Sequence, residues 1–265
     1  MIDCIIFSKN RAAQLQLLIE SIERFAPRLY NNIYVIYKAT TKDHETTYNY
    51  VASKYYHITF IEEENLVDNQ FEKITKSIIN HINSYNTPLL TFLVDDDIFF
   101  RPPRIKSEQI HEIIYHTKRV FSLRLGKRYK YLKDFMVHKN YITIPRDINV
   151  KCAAYPLSVD GNIFDTKFIT KLIDKISFIN PNKLESRLQK FTPQCSNMFS
   201  VIEQCLVGVP INRVSDTSHC TFGENHYLNE DEICKQFLEG KRFNLDDISF
   251  KGINNTHVEL KMEMK

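Results

Sequence analysis

The chain opens on an apolar run of strand length, Ile2 to Phe7, that breaks into the polar stretch Ser8-Lys9-Asn10-Arg11. Leu15, Leu18, Ile19, Ile22 and Phe25 then recur at helical spacing up to Pro27, predicting a helix with Asn10 as its N-cap. The alternation continues: Ile33 to Tyr37 predicts a strand, Asp43 to Lys54 a helix and Ile58 to Ile61 a strand. Phe71, Ile74, Ile78, Ile82 and Tyr85 mark another helical face, and a strand follows from Pro88. Repeated strand–helix units predict an α/β fold with a mostly parallel sheet covered by helices on both faces. The second half is less regular. It predicts helices over 107–118, 166–176 and 229–238, the last closed by Gly240, and strands over 120–125 and 141–144. Pro181-Asn182-Lys183-Leu184-Glu185 reads as a helix start. Val207 to Val214 carries Pro210 and reads as an edge strand, and Thr256 to Met262 alternates enough for a final strand. No internal repeat, low-complexity segment or linker interrupts the pattern, so one domain over 1–265 is expected.

One stretch breaks the apolar pattern in an unusual way. Leu89-Leu90-Thr91-Phe92-Leu93-Val94 drives into Asp95-Asp96-Asp97, and Ile98-Phe99-Phe100 resumes at once. In an extended chain Asp95 and Asp97 share a face and Asp96 points opposite. Two carboxylates on one face at the end of a buried strand repel unless a cation bridges them, and Mg²⁺ or Mn²⁺ takes such oxygen ligands. In open α/β sheets ligands sit outside the carboxyl ends of the strands. Both Ser8–Arg11 and Asp95–Asp97 fall at such ends.

Composition removes several alternatives. The 265 residues carry 35 basic and 32 acidic side chains, and a net charge of +3 is too mild to argue for a nucleic-acid partner. The six glycines fall into neither G-x-G-x-x-G nor a P-loop, so any phosphate must be held by other means. The six cysteines form no C-x-x-C pair, which speaks against a zinc ribbon or thioredoxin-type site. Neither a signal peptide nor an apolar run of membrane-spanning length is evident, so a reduced, cytoplasmic protein is expected. Peripheral attachment at the inner face of a membrane stays open.

These residues resemble the GT-A fold glycosyltransferases, in particular family 2-like bacterial members that use nucleotide sugars. Phe7-Ser8-Lys9-Asn10-Arg11 before an amphipathic helix resembles that superfamily's first nucleotide-binding loop. Phe92 to Phe99 resembles its DxD strand, and Asp160-Gly161-Asn162-Ile163-Phe164 resembles the segment lining the sugar pocket. Glu185 falls where inverting members carry their catalytic carboxylate, and His257 resembles the histidine that completes the metal site in many members. Two features depart from the family pattern. Leu184 stands where a second carboxylate is usual, and the glycine-rich stretch often found before the base is absent.

The resemblance implies a nucleotide-binding half over 1–100 and an acceptor-binding half over 101–265. It implies Mn²⁺ or Mg²⁺ held by Asp95, Asp97 and His257, with His219 the rival third ligand. Ser8, Asn10, Arg11, Asp68, Asp95 and Asp96 would contact a nucleoside diphosphate sugar, expected to be a UDP-sugar. Glu185 would be the base of an inverting transfer to a glycan or lipid-linked glycan, with Asp160 as runner-up and more important if configuration is retained. Arg124, Lys127 and Arg128 form a basic group after a strand that reads as mainly solvated, with contact to the diphosphate or an anionic acceptor as the alternative. A sugar-phosphate nucleotidyltransferase and a non-catalytic nucleotide-sugar-binding protein are the competing readings.

Overall fold

The computed structural model describes residues 1–64, 69–115, 117–145, 155–212 and 229–265. Its first half follows the strand–helix pattern. β1 (Ile2–Lys9), α1 (Ala12–Phe25), β2 (Ile33–Lys38), α2 (Lys42–Lys54), β3 (Thr59–Glu62), α3 (Gln70–Ser84) and β4 (Leu89–Val94) succeed one another. β1 pairs in parallel with β2 on one side and β4 on the other, and β3 extends the sheet beyond β2. β1 is buried along all but its last residue, as a central parallel strand with both faces covered must be.

The elements after β4 are β5 (Asp97–Phe99), α4 (Ser107–Ile114), β6 (Val120–Ser122), β7 (Met136–Val137), β8 (Tyr141–Ile144), β9 (Asn162–Asp165), α5 (Thr166–Ile173), α6 (Pro181–Leu188), β10 (Met198–Val201), β11 (Leu206–Gly208) and α7 (Glu230–Leu238). Among the described residues, nine strands form one sheet in the order β3-β2-β1-β4-β9-β6-β10-β8-β7, and β11 pairs with β5 in a small second sheet. β9 lies antiparallel between β4 and β6, so the sheet is mostly parallel with a reversed strand at its middle.

Side chains alternate cleanly across the sheet. Ile2, Cys4 and Ile6 of β1 and Leu89 and Leu93 of β4 face a core shared with α1 and α2. Ile5 and Phe7, with Leu90 and Phe92, face the other core, which is closed by α3, α5 and α6. Phe92 anchors that layer, its ring 5.7 Å from Phe7 and 6.1 Å from Phe164. Burying an aromatic side chain this fully stabilises the fold by roughly 2–3 kcal/mol. No helix of the described residues is long and apolar enough to cross a membrane.

Several second-half elements are shorter than the periodicity predicts. The helix expected over 107–118 stops at Ile114, whose carbonyl accepts from the Thr117 hydroxyl at 2.6 Å. The helix expected over 166–176 ends at Ile173. The strand expected over 120–125 ends at Ser122, because the Ser200 hydroxyl engages the carbonyls of both Ser122 (2.9 Å) and Leu125 (2.8 Å) and holds the chain bent between them. Residues 256–262 form no strand; His257 makes one bridge to Gly208. β11 is only three residues long, so Val258, Leu260 and Met262 pack on the core with no ladder partner.

The bend after β6 needs Gly161. Its φ is +73°, and an added Cβ would collide with the Leu206 side chain and come 3.1 Å from Arg124 Cγ. Gly161→Ala should therefore destabilise the protein by about 2 kcal/mol or more, read as a lower unfolding midpoint.

Candidate functional site

The acid triplet sits at a turn. β4 ends at Val94, Asp95 and Asp96 form a turn, and Asp97 starts β5, with the Val94 N–H donating to Asp97 Oδ2 at 3.1 Å. The chain is thus not extended through the triplet, and the expected alternation of faces does not apply. Asp96 is turned toward the site, where its carboxyl feels Arg11, Asp95, His257 and Asp160.

Each carboxylate has a different environment. Asp95 accepts from Ser8 Oγ (2.9 Å), the Lys9 N–H (3.2 Å) and Arg11 Nη1 (2.9 Å), which ties the β1 loop to the β4 turn. Asp96 stands 3.6 Å from the same guanidinium. Asp97 is fully buried, and its Oδ1 has no hydrogen-bond partner among the described residues. Burial pushes the Asp96 and Asp97 carboxyls above the usual carboxylate range, against the pull of Arg11 and Arg124 respectively.

Arg11, not Asn10, occupies the N-cap position of α1, and Asn10 adopts φ 54°. The Asn10 side chain is used elsewhere. Its Oδ1 accepts from the Thr40 N–H (3.0 Å), while Nδ2 donates to Thr40 Oγ1 (2.7 Å) and Glu230 Oε1 (3.2 Å). Ser8 also meets the Tyr48 hydroxyl at 2.6 Å, and Arg11 donates to the Asn212 carbonyl. Ser8, Arg11, Asp95 and Asp96 therefore form one connected group, while Asn10 braces it from behind.

His257 reaches the site through β11. That strand pairs with β5 so that Gly208 lies opposite Asp97. The C-terminal segment lies along Gly208, whose N–H donates to the Thr256 carbonyl (2.9 Å) and whose carbonyl accepts from Val258 (3.0 Å). A Cβ at Gly208 would come within 2.5 Å of His257 Cδ2, so only glycine allows this approach. His257 Nε2 stands 3.6 Å from Asp160. Burial first, and Arg124 second, lower the imidazole's proton affinity.

Arg124 is a site residue that the sequence pattern hides. It is buried, pairs with Asp160, donates to the Thr256 carbonyl at 2.8 Å and lies 2.9 Å from His257 Nε2. The expected solvated basic group holds only for Lys127 and Arg128, which face Glu203. A basic residue just past a β-strand, two residues beyond a buried serine, is the only hint in the sequence that Arg124 turns inward.

Glu185 projects from α6 toward Ser158, whose hydroxyl it accepts at 2.7 Å, and toward the Val159 N–H at 3.1 Å. Burial, reinforced by Asp160, pushes the Glu185 carboxyl up to about 7. For Asp160, burial acts in the same sense, but Arg124 and His257 outweigh it and hold the carboxyl below the usual range. Two neighbouring carboxylates with proton affinities pushed apart is a pattern that separates an acid–base group from a permanently charged one. Tyr155 bonds Glu185 as well and is itself pushed up to about 12 by burial and that carboxylate. Leu184 points into the core instead. Asp68 and His219 lie outside the described residues.

Asp95, Asp97 and His257 are brought to one region but not into one tight trio. Among the described residues, the group of three whose ligand atoms lie within 4.8 Å of one another is His44, Glu230 and Asp231.

No family model and no curated protein matches the chain. Solved structures do. The chain superposes on S. aureus TarS 1-349 in complex with UDP at TM-score 0.50 and 13% identity, covering 78% of this chain and 59% of that one. A second S. aureus TarS structure gives TM-score 0.50 and 13% identity over 77% of this chain and 36% of that one. A 4-diphosphocytidyl-2C-methyl-D-erythritolsynthase from Anaerococcus prevotii covers more, 90% of this chain and 96% of that one, at 14% identity, but its TM-score of 0.42 is too low to weigh. At these identities the likeness is one of fold: an α/β protein with a large, mostly parallel central sheet flanked by helices.

Because the folded state holds the Glu185 proton up to about 7, against 4.5 for the free group, the native chain binds more protons in that window than the unfolded chain does. Stability should therefore fall as pH rises from about 4.5 to 7 and level off above. Glu185→Gln should flatten that decline by on the order of 2–3 kcal/mol in denaturant titrations across this range.

Proposed function

We propose that this chain is a metal-dependent glycosyltransferase that moves a sugar from a nucleoside diphosphate sugar to a hydroxyl of a glycan acceptor. The observation that carries this reading is the charge balance at the strand ends. Among the described residues, Asp95, Asp96, Asp97 and Asp160 face two guanidinium groups, those of Arg11 and Arg124. Among the described residues two formal negative charges remain, and the buried Asp97 Oδ1 has no hydrogen-bond partner. One divalent cation matches that deficit and that oxygen.

Asp97 and Asp96, with His257 beside them, would hold Mn²⁺ or Mg²⁺, and Asp95 would anchor the Arg11 loop next to it. The sequence-based set of Asp95, Asp97 and His257 thus shifts by one residue, because Asp95 is already engaged by three donors. When bound, the cation supplies charge stabilisation to a diphosphate leaving group. Ser8 and Arg11 line the donor side. Uridine is the proposed nucleotide, in keeping with the UDP bound by TarS.

Glu185 acts as the base for an inverting transfer. Ser158 and Val159 fix its Oε1 and so orient the carboxylate that would take the acceptor's proton as the hydroxyl attacks. With its proton affinity raised to about 7, Glu185 is poised to accept that proton and still be ionised near neutrality. Asp160 stays charged and holds Arg124 in place.

Calorimetry with UDP-sugars should show binding that requires Mn²⁺ or Mg²⁺, and Asp97→Asn should abolish the metal-dependent part while the protein still unfolds cooperatively. Equal binding of all nucleoside diphosphate sugars without metal would defeat this mechanism. Glu185→Gln should keep donor binding but lower turnover by about 10²–10⁴-fold. The wild-type rate should rise with pH up to about 7 and level above it, since the base works ionised. Unchanged turnover in Glu185→Gln would remove Glu185 from the chemistry.

A further inference from the structure

We infer that His44, Glu230 and Asp231 form a second cation site, separate from the acid triplet, which takes a first-row transition metal such as Zn²⁺ and staples α2 to α7. This inference does not depend on the transferase reading.

The local sequence places all three groups. Thr41 caps α2, accepting from the His44 N–H at 3.3 Å, and this first turn directs the His44 imidazole inward, where it is 1% exposed. Asn229 caps α7, accepting from the Asp231 N–H at 2.8 Å, and Glu230 and Asp231 project from that first turn. The two helix starts meet, with His44 Nε2 3.1 Å from Asp231 Oδ1 and one ligand atom from each residue within 4.8 Å of the others.

Charge and hydrogen bonding leave the group incomplete. Among the described residues, neither Glu230 nor Asp231 has a lysine or arginine within 4.0 Å; Asp231 pairs with His44. Glu230 receives the Asn10 amide at 3.2 Å. His44 Nδ1 is buried and has no hydrogen-bond partner among the described residues. If Nε2 carries the proton, a buried lone pair at Nδ1 is left unsatisfied. If Nδ1 carries it, the Nε2 lone pair faces a carboxylate oxygen at 3.1 Å, a repulsion that a cation between them removes.

First-turn acids are ordinarily explained by the helix dipole. That account covers Glu232 in the same turn, but it does not explain why a fully buried imidazole meets the other two. The donor set identifies the ion. One imidazole nitrogen and two carboxylate oxygens suit Zn²⁺ or Co²⁺, whereas Mg²⁺ and Ca²⁺ prefer all-oxygen shells. Bonds of about 2.0–2.1 Å put neighbouring ligand atoms roughly 3.3 Å apart, close to the His44–Asp231 separation. Glu230 needs only a side-chain rotation to join them.

Occupancy would be felt beyond the two helices. Glu230 is bonded to Asn10, and Asn10 holds the backbone next to Arg11, whose guanidinium grips Asp95. A metal here would steady the Ser8–Arg11 loop from behind without touching it.

The test uses the full chain, stripped of metal by a chelator and titrated with Zn²⁺ or Co²⁺ in the absence of nucleotide. An ion should bind at this site in the wild type and in Asp97→Asn alike, raise the unfolding midpoint and, for Co²⁺, give the visible absorption of a site with a nitrogen ligand. Glu230→Gln with Asp231→Asn should weaken that binding at least 100-fold and cancel the midpoint shift, whereas Asp97→Asn should leave it unchanged. Proton–nitrogen spectra of the wild-type histidines supply a check that needs no variant, with the His44 ring moving on Zn²⁺ addition. Absence of stoichiometric binding overturns the inference. So does a midpoint shift in Asp97→Asn that survives the addition of Glu230→Gln and Asp231→Asn, or a His44 ring that stays unmoved.

Discussion

Four carboxylates gathered at one edge of the sheet, Asp95 and Asp97 buried and Asp96 and Asp160 only partly exposed, set the terms for everything around them. Removing an ion from water is unfavourable by several kcal/mol even after relaxation, so such groups persist only when paired or coordinated. Asp95 is satisfied by Arg11 and the β1 loop, and Asp160 by Arg124. Asp96 and Asp97 are left under-compensated, and their raised proton affinities are the electrical sign of it. The cation we propose would offset that imbalance.

The scaffold that holds this arrangement is built in two stages. The parallel strands β1 and β4 deliver the Ser8–Arg11 loop and the acid turn to the same edge, because parallel neighbours end together. The small β5–β11 sheet then carries the chain's last segment across that edge and sets His257 beside Asp160 and Arg124. Gly161 and Gly208 are two of the positions where the approach is too close for a side chain. Loss of either would move Arg124 or His257 without altering any charged residue.

Glu185 illustrates how a tuned group arises without a second carboxylate beside it in sequence. Its neighbour Leu184 is buried in the core, and this anchors α6 so that Glu185 faces Ser158, Val159 and Asp160. Glu185 and Asp160 thus influence each other across space, from separate segments of the chain.

The α/β class and the first four strands were legible from the chain alone, since buried parallel strands are near-continuous apolar runs and their covering helices show a 3.6-residue period. The Asp95–Asp97 triplet and the Ser8–Arg11 loop were legible as well, because charge interrupting an apolar run is a local signal. What needed the tertiary structure was direction. The turn at Asp95–Asp96 rotates Asp96 into the site, a hydrogen bond from Ser200 bends the chain so that Arg124 turns inward, and a three-residue strand decides where His257 lies. The meeting of His44 with Glu230 and Asp231 spans nearly two hundred positions. Periodicity reports the faces of single elements; which faces meet is set by packing between elements far apart in the chain.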